Sequence, residues 1–453
     1  MMWPNYASKT ALAFCITIFV CFTAYSQADD SGETISLDQV RTLALANSRS
    51  LAKHGLAIRA AVLDERARVF SNLPSLSVGA SVSASLWSPA RAEPVANPIE
   101  TLSSGANFGV SQRIFEGGRT LIQKAINEIA SENARLQALA EFFGVLDSAD
   151  NAFYAVLEAE ATLEAEESSL RVALAGLEIA EIRLAAGMIN HGEFLRAMAE
   201  KVARENSANQ ARRSLALSGA RLRSLVGLPG LPPLAQIDFS GYENLIARLA
   251  NVSDDDAEEL YSRLLARLVA SNPAFAQAGL SSMRAQRNLD MAKRAYSPTL
   301  GASFSTGLNL HPEFGVRGGG LSVSASVPID FWVIANNIEK SRIALDASML
   351  DYEGAGANLE LELRSALLNL FAFADSVRHS RLSLAYAESH FDFVEERYRL
   401  FQSSVSELSE ASTLLINGRN NLTRASYGFL RGLSGLRSLG AIDDMAVLMD
   451  ILK

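Results

Sequence analysis

From Arg119 to about Ala186 the chain runs close to 70 residues without a proline. Leu136, Leu139, Phe143, Leu146, Phe153 and Leu157 recur there at gaps of three, four or seven. That is heptad spacing, and Ala, Glu, Gln, Asn and Arg fill the positions between. At 1.5 Å per residue such a helix is a rod of roughly 100 Å. Helices of compact domains average about 11–12 residues, so this rod must pack along partners of similar length. The chain supplies one from about Ala335 to Leu400, where Leu363, Leu367, Leu370, Ala374, Val377 and Leu384 carry the same stripe.

Two segments between the helical ones change period from 3.6 to two. Leu76, Val78, Ala80, Val82, Ala84 and Leu86 alternate with Ser and Gly, giving a strand over 75–87 with one apolar face and one small polar face. After a loop with Pro89, Pro94 and Pro98, a second strand is predicted over 106–115, through Phe108, Val110 and Ile114. Phe115-Glu116-Gly117-Gly118-Arg119 then turns strand into helix, with Gly117 and Gly118 giving the backbone its freedom. The long helix ends near Gly187, and a returning helix spans 193–226.

The same order then recurs. Ala46, Gly55-Leu56 and Pro74 match Ala270, Gly279-Leu280 and Pro298 at an offset of 224, and Leu222-Arg223-Ser224-Leu225 matches Leu436-Arg437-Ser438-Leu439 at 214. The change of offset falls in the hairpins, where loop length varies most easily. Repeat one covers 27–233 and repeat two 263–440. The second copy has strands over 299–310 and 320–329, a long helix over 335–400 and a return helix over 406–439. A linker at 234–262 joins the repeats, its Asp254-Asp255-Asp256 run reading as a solvated stretch, and 441–453 forms a tail.

The first 26 residues have the pattern of a secretory leader: Lys9, an apolar run from Ala11 to Ala24, and Ala24-Tyr25-Ser26 as a cleavage site. An uncleaved anchor is the alternative, but the run is short for a helix spanning a bilayer. Phe19-Val20 before Cys21 argues against a lipoprotein site. Cys15 and Cys21 are the only cysteines, so the exported part has neither disulfide nor thiol chemistry. The 41 Lys and Arg against 50 Asp and Glu leave no basic block for nucleic acid. His54, His191, His311, His379 and His390 lack metal-ligand spacing, and Arg317-Gly318-Gly319-Gly320 reads as turn chemistry rather than a phosphate loop. The expectation is a protein that is not an enzyme and carries no cofactor.

Four strands cannot close a barrel, which begins at about eight, and an open sheet in lipid leaves unsatisfied edges. If the sheet enters a membrane, the chain must oligomerise, with the Ser/Gly face to a lumen and the Leu/Val/Phe face to lipid. A soluble sheet packed on one side is the competing reading, disfavoured by strand length.

The duplicated layout, Phe115–Arg119, Arg183-Leu-Ala-Ala-Gly187 and Ala270-Ser-Asn272-Pro273 together resemble the TolC-like outer membrane efflux proteins, over essentially the whole chain after the leader. The resemblance implies an α+β membrane protein. It would be a homotrimer in which three four-stranded sheets make one 12-stranded outer-membrane β-barrel and the long coiled-coil helices make a periplasmic α-barrel. It further implies a passive duct for efflux or type I secretion, fed by an inner-membrane pump of RND or ABC type through a periplasmic adaptor. Glu407 and Glu410 match the acidic rings of the periplasmic entrance, and their spacing of three places them on one helical face. Glu193 and Tyr398 match contacts that hold the closed tip, a tyrosine hydroxyl donating to a carboxylate being the expected chemistry. Ser403 stands where the family has an arginine lock, which implies a looser latch. Arg183, Gly187 and Arg397 mark the turns where the adaptor docks. Two departures concern local turns: Ile329-Asp330-Phe331-Trp332 replaces the glycine turn in repeat two, and Ser48-Arg49 replaces Asn272-Pro273 in repeat one. A non-conducting coiled-coil scaffold spanning the periplasm is the alternative function. An autonomous uptake porin is disfavoured by the acidic tip.

Overall fold

The computed structural model describes residues 34–70, 73–84, 87–88, 93–94, 102–311 and 314–452. The leader with Cys15 and Cys21, and Leu86, Pro89 and Pro98 of the first hairpin, lie outside the described residues. The chain forms two compact units.

One unit spans Lys53–Ala138 and Pro273–Ala357. It holds an antiparallel sheet of β1 (Ser75–Ala84), β2 (Leu102–Phe115), β3 (Thr299–His311) and β4 (Gly315–Ser326), in that spatial order. Register aligns the two faces. Leu76 opposes Val110, Val110 opposes Phe304, and Phe304 opposes Leu321, so one face is continuously apolar. The other face carries serine pairs: Ser75 with Ser111 at 2.6 Å, Ser83 with Ser103 at 2.8 Å, and Ser303 with Ser322 at 2.8 Å. Leu76, Val78, Val82, Leu321 and Val323 are exposed on the apolar face. Strands two and four begin earlier than periodicity indicates, at Leu102 and Gly315, because backbone pairing continues through positions without alternation.

Between β2 and the following helix, Gly117 and Gly118 take φ of +65° and +80°. At Gly117 a Cβ would lie 2.2 Å from the Ser297 Cβ, so only glycine fits. In repeat two the junction is built differently: the Asp330 carbonyl accepts from the Val333 and Ile334 amides at the helix start.

The helices are α1 (Leu37–Asn47), α2 (Arg49–Phe70), α3 (Arg119–Ala185), α4 (His191–Val226), α5 (Glu243–Leu249), α6 (Asp254–Ser271), α7 (Pro273–Lys293), α8 (Phe331–Arg399), α9 (Val405–Leu439) and α10 (Met445–Leu452). The apolar pattern from Ile35 to Phe70 predicts one helix, and Ser48 breaks it: its hydroxyl accepts from the Leu51 amide and caps α2. Asn272 makes the same break before Pro273, whose ring excludes helical backbone at the preceding residue. Serine and asparagine-proline thus reach one geometry by different chemistry. Three further segments carry structure beyond the sequence reading, and Asp254–Asp256 are exposed as expected. The segment 234–262 is not an irregular linker, since it contains α5 and the start of α6. Asp254, Asp255 and Asp256 fill the first turn of α6 behind the N-cap Ser253, where carboxylates suit the helix dipole. The tail holds α10, whose Leu448 and Leu452 are buried.

The other unit comprises the chain up to Ala52 with Leu139–Asn272 and Asn358–Lys453. Its core is the heptad stripe: Phe153, Leu157, Leu363 and Leu370 are wholly enclosed. Within it Asp150, 0% exposed, accepts from Arg41 at 2.6 and 2.9 Å and from the Ser434 hydroxyl at 2.7 Å, with Arg437 at 3.5 Å. A carboxylate buried so deeply is tolerable only with such a complete set of partners. This cluster fastens α1, α3 and α9 together.

Candidate functional site: the paired helical turns

Two turns, α3 to α4 and α8 to α9, are built alike. Met188 donates to the Arg183 carbonyl at 2.8 Å, and Gln402 donates to the Arg397 carbonyl at 2.8 Å. Gly187 and Phe401 hold the left-handed position, with φ of +68° and +61°. The return helices start with side-chain caps. Asn190 accepts from the Glu193 amide at 2.9 Å, and Ser404 accepts from the Glu407 amide at 3.3 Å. The Glu407 carboxylate completes a capping box by accepting from the Ser404 amide at 3.4 Å. Glu193 and Glu407 therefore occupy the same place in the two repeats.

Beneath the turns lies an apolar core of Ala180, Ala197, Phe391, Val394, Val405, Leu408 and Ala411, which positions the polar residues. Glu407 and Glu410 are exposed on the first two turns of α9, and Glu193 is half-buried. Tyr398 is 1% exposed, and its hydroxyl donates to the Gly176 carbonyl at 2.9 Å rather than to a carboxylate. Burial pushes its phenol pKa up; Arg183 opposes this and Glu193 adds to it. Ser403 is buried, its hydroxyl donating to the Val394 carbonyl at 3.3 Å. Gly187 and Arg397 are exposed, Arg397 donating to the Gln402 carbonyl at 3.0 Å.

Arg183 is buried rather than exposed at its turn. It is 5% exposed, because its guanidinium turns inward to the second turn and donates to the carbonyls of Ser403 at 2.9 Å and Tyr398 at 2.7 Å. Nothing local in the sequence marks this, since the acceptors are backbone atoms more than 200 positions away. The capping role of Glu407 was readable, because Ser404-Val-Ser-Glu407 is the S-x-x-E pattern. A third feature, beyond the turns, is apolar and aromatic. Ile329, Phe331 and Trp332 follow β4 with Trp332 70% exposed, and the Tyr296 ring stacks on Phe331 at 6.2 Å.

Among the described residues no helix is long and apolar enough to cross a membrane, and no cluster of His, Cys, Asp or Glu could hold a metal ion.

A family model described as outer membrane efflux protein matches residues 40–228 and 264–440, one match on each repeat. The chain belongs to this family and is an outer-membrane protein with a periplasmic helical extension. It is 22% identical over 388 residues to the outer membrane protein TolC of Escherichia coli K12, covering 78% of this chain and 72% of TolC. Its fold is that of the CmeC outer membrane channel of Campylobacter jejuni, with a TM-score of 0.72, 15% identity, and coverage of 92% and 89% of the two chains. The outer membrane protein VceC of Vibrio cholerae is also similar, with a TM-score of 0.69, 16% identity, and coverage of 89% and 96%. These relatives are outer membrane proteins and channels, not enzymes.

Proposed function

We propose that the protein is the outer-membrane duct of a tripartite efflux or type I secretion machine and acts as a homotrimer. One observation carries this reading: among the described residues the four-stranded sheet has two unpaired edges, β1 and β4, and an exposed apolar face. Such a sheet rests in lipid only when its edges are closed by other copies, and three copies give 12 strands, within the range of closed barrels. The serine ladder then lines the lumen, and Trp332 with its apolar neighbours rests at the membrane interface, where indole rings are favoured.

In this reading conduction is passive. The driving energy comes from an inner-membrane pump of RND or ABC type, handed on by a periplasmic adaptor. The adaptor docks on the exposed parts of the turns, at Gly187 and Arg397. Glu193, Tyr398 and Ser403 belong to the closed arrangement of the tip. Three copies of Glu407 and Glu410 ring the entrance and favour cations over anions.

Single-channel conductance in a planar bilayer tests this, comparing wild type with Glu407→Gln/Glu410→Gln. Glutamine removes charge while retaining the capping box, which alanine would destroy. A cation-selective conductance that loses selectivity in the variant is the expected result. Retained selectivity removes the ring assignment, and a folded protein that never inserts supports the non-conducting scaffold.

A further inference from the structure

The buried stripe of α3 loses its large residues beyond Leu157. As far as Ala180 the buried positions that follow are all small: Ala159, Ala165, Ser169, Gly176 and Ala180. From α9 another small residue, Ser412, meets Ser169. Helix bundles are filled as densely as organic crystals, so small residues meeting in one layer leave space unless the backbones close in. At this level they stay apart, and a crevice of about 280 Å³ opens between α3, α8 and α9.

The lining of the crevice is sharply divided. Its floor is polar. Ser169 and Ser412, 3% and 6% exposed, face each other at 3.4 Å, longer than the usual hydroxyl–hydroxyl bond. Ser148 and Ser389, by contrast, donate to the carbonyl one turn back, at 2.8 and 3.0 Å. Among the described residues the Ser169 and Ser412 hydroxyls have only each other, so whichever donates, one buried proton has no acceptor. Phe391, Leu415 and Ile416 make apolar walls. The mouth is acidic, with Glu388 and Asp392 one helical turn apart on α8. Arg419 approaches Glu388 only to 3.8 Å, and the exposed Asp392 forms no ion pair among the described residues. These three groups leave the mouth with a net negative charge.

We propose that this crevice binds a small organic monocation, a primary ammonium on an apolar body whose far end carries a hydrogen-bonding oxygen. The ammonium offers three donors to the two carboxylates of the mouth. The body covers Phe391, Leu415 and Ile416, removing apolar surface from water. The far oxygen accepts the spare serine proton, which a plain hydrocarbon cannot do. The volume sits at the small end of ligand pockets, which begin at roughly 300 Å³, and so selects a body of about one ring. Anions are repelled at the mouth. A molecule seated there touches three helices at once, so its binding also stabilises their packing. The site stands independently of the channel reading.

Isothermal titration calorimetry on the detergent-solubilised full-length protein at neutral pH tests this. The probes are tyramine, 2-phenylethylamine, which lacks the oxygen, and 4-hydroxyphenylacetate, which reverses the charge, each blanked against detergent alone. Tyramine is expected to bind saturably at one per chain, 2-phenylethylamine several-fold more weakly, and the anion not at all. Glu388→Gln/Asp392→Asn should weaken tyramine about tenfold or more by removing the charge-assisted bonds. Ser169→Ala/Ser412→Ala should lower tyramine to the affinity of 2-phenylethylamine and leave 2-phenylethylamine unchanged. Absence of saturable tyramine binding to wild type would overturn the proposal, as would wild-type affinity in the mouth variant or equal affinity of wild type for the two amines. If the double mouth variant does not assemble, Asp392→Asn decides alone: a several-fold loss of tyramine affinity supports the site, and unchanged affinity overturns it.

Discussion

The first turn and the second turn share a backbone and differ in what their side chains do with it. Both carry an arginine four residues before a left-handed residue, and both follow it with a polar cap and a glutamate at the third helical position. In the first turn the left-handed residue is glycine, and its arginine leaves home to serve the other repeat. In the second it is phenylalanine, and Arg397 stays exposed on its own turn. Duplication preserved the hydrogen-bonded frame, and the two copies divided the remaining tasks: one supplies the clasp, the other accepts it.

The sharpest way to break this comparison is to truncate the two arginines separately. Arg183→Ala should cost about 3–5 kcal/mol, since each of its two charge-assisted bonds contributes about 1.5–3 kcal/mol, and Arg397→Ala under about 0.5 kcal/mol. Denaturant or thermal unfolding of the detergent-solubilised protein measures both, and equal losses would erase the distinction. Next come the left-handed residues. Gly187→Ala should lose roughly 1–2 kcal/mol to backbone strain, whereas Phe401→Gly relieves that strain as it removes the ring and should stay within about 1 kcal/mol of wild type. Removing the reciprocal bond with Tyr398→Phe should cost about 1 kcal/mol, visible as faster hydrogen exchange at the ends of α3 and α8. The smallest effect separates the two glutamates. Glu407→Ala should cost about 0.5–1 kcal/mol through its capping box, Glu407→Gln close to nothing, and Glu193→Ala less than Glu407→Ala.

What could be read from the sequence follows the range of the interactions. Heptad stripes and period-two alternation act within a few residues, so the long helices and the four strands are legible, with ends displaced where pairing or helix outruns the pattern. The break at Ser48 is harder to read than the one before Pro273, because a serine caps only when its hydroxyl points at the right amide. Asp254–Asp256 are the solvated run they look like, but that they open a helix shows only once Ser253 is seen as a cap. At the turns, Gly187 and the glutamates are marked locally. Arg183 is not, since its partners are carbonyls brought close only by the packing of α3 on α8.

The Asp150 cluster has a consequence for how the chain is made. Its partners are Arg41 near one end of the sequence and Ser434 and Arg437 near the other. Contacts of such separation form late, because loop closure over hundreds of residues must come first. Until α9 has arrived, burying Asp150 would leave a carboxylate short of its donors, a cost of several kcal/mol. The nascent chain is thereby discouraged from closing its core around an unfinished product. Burial of this one aspartate is therefore least costly once the last long helix is in place.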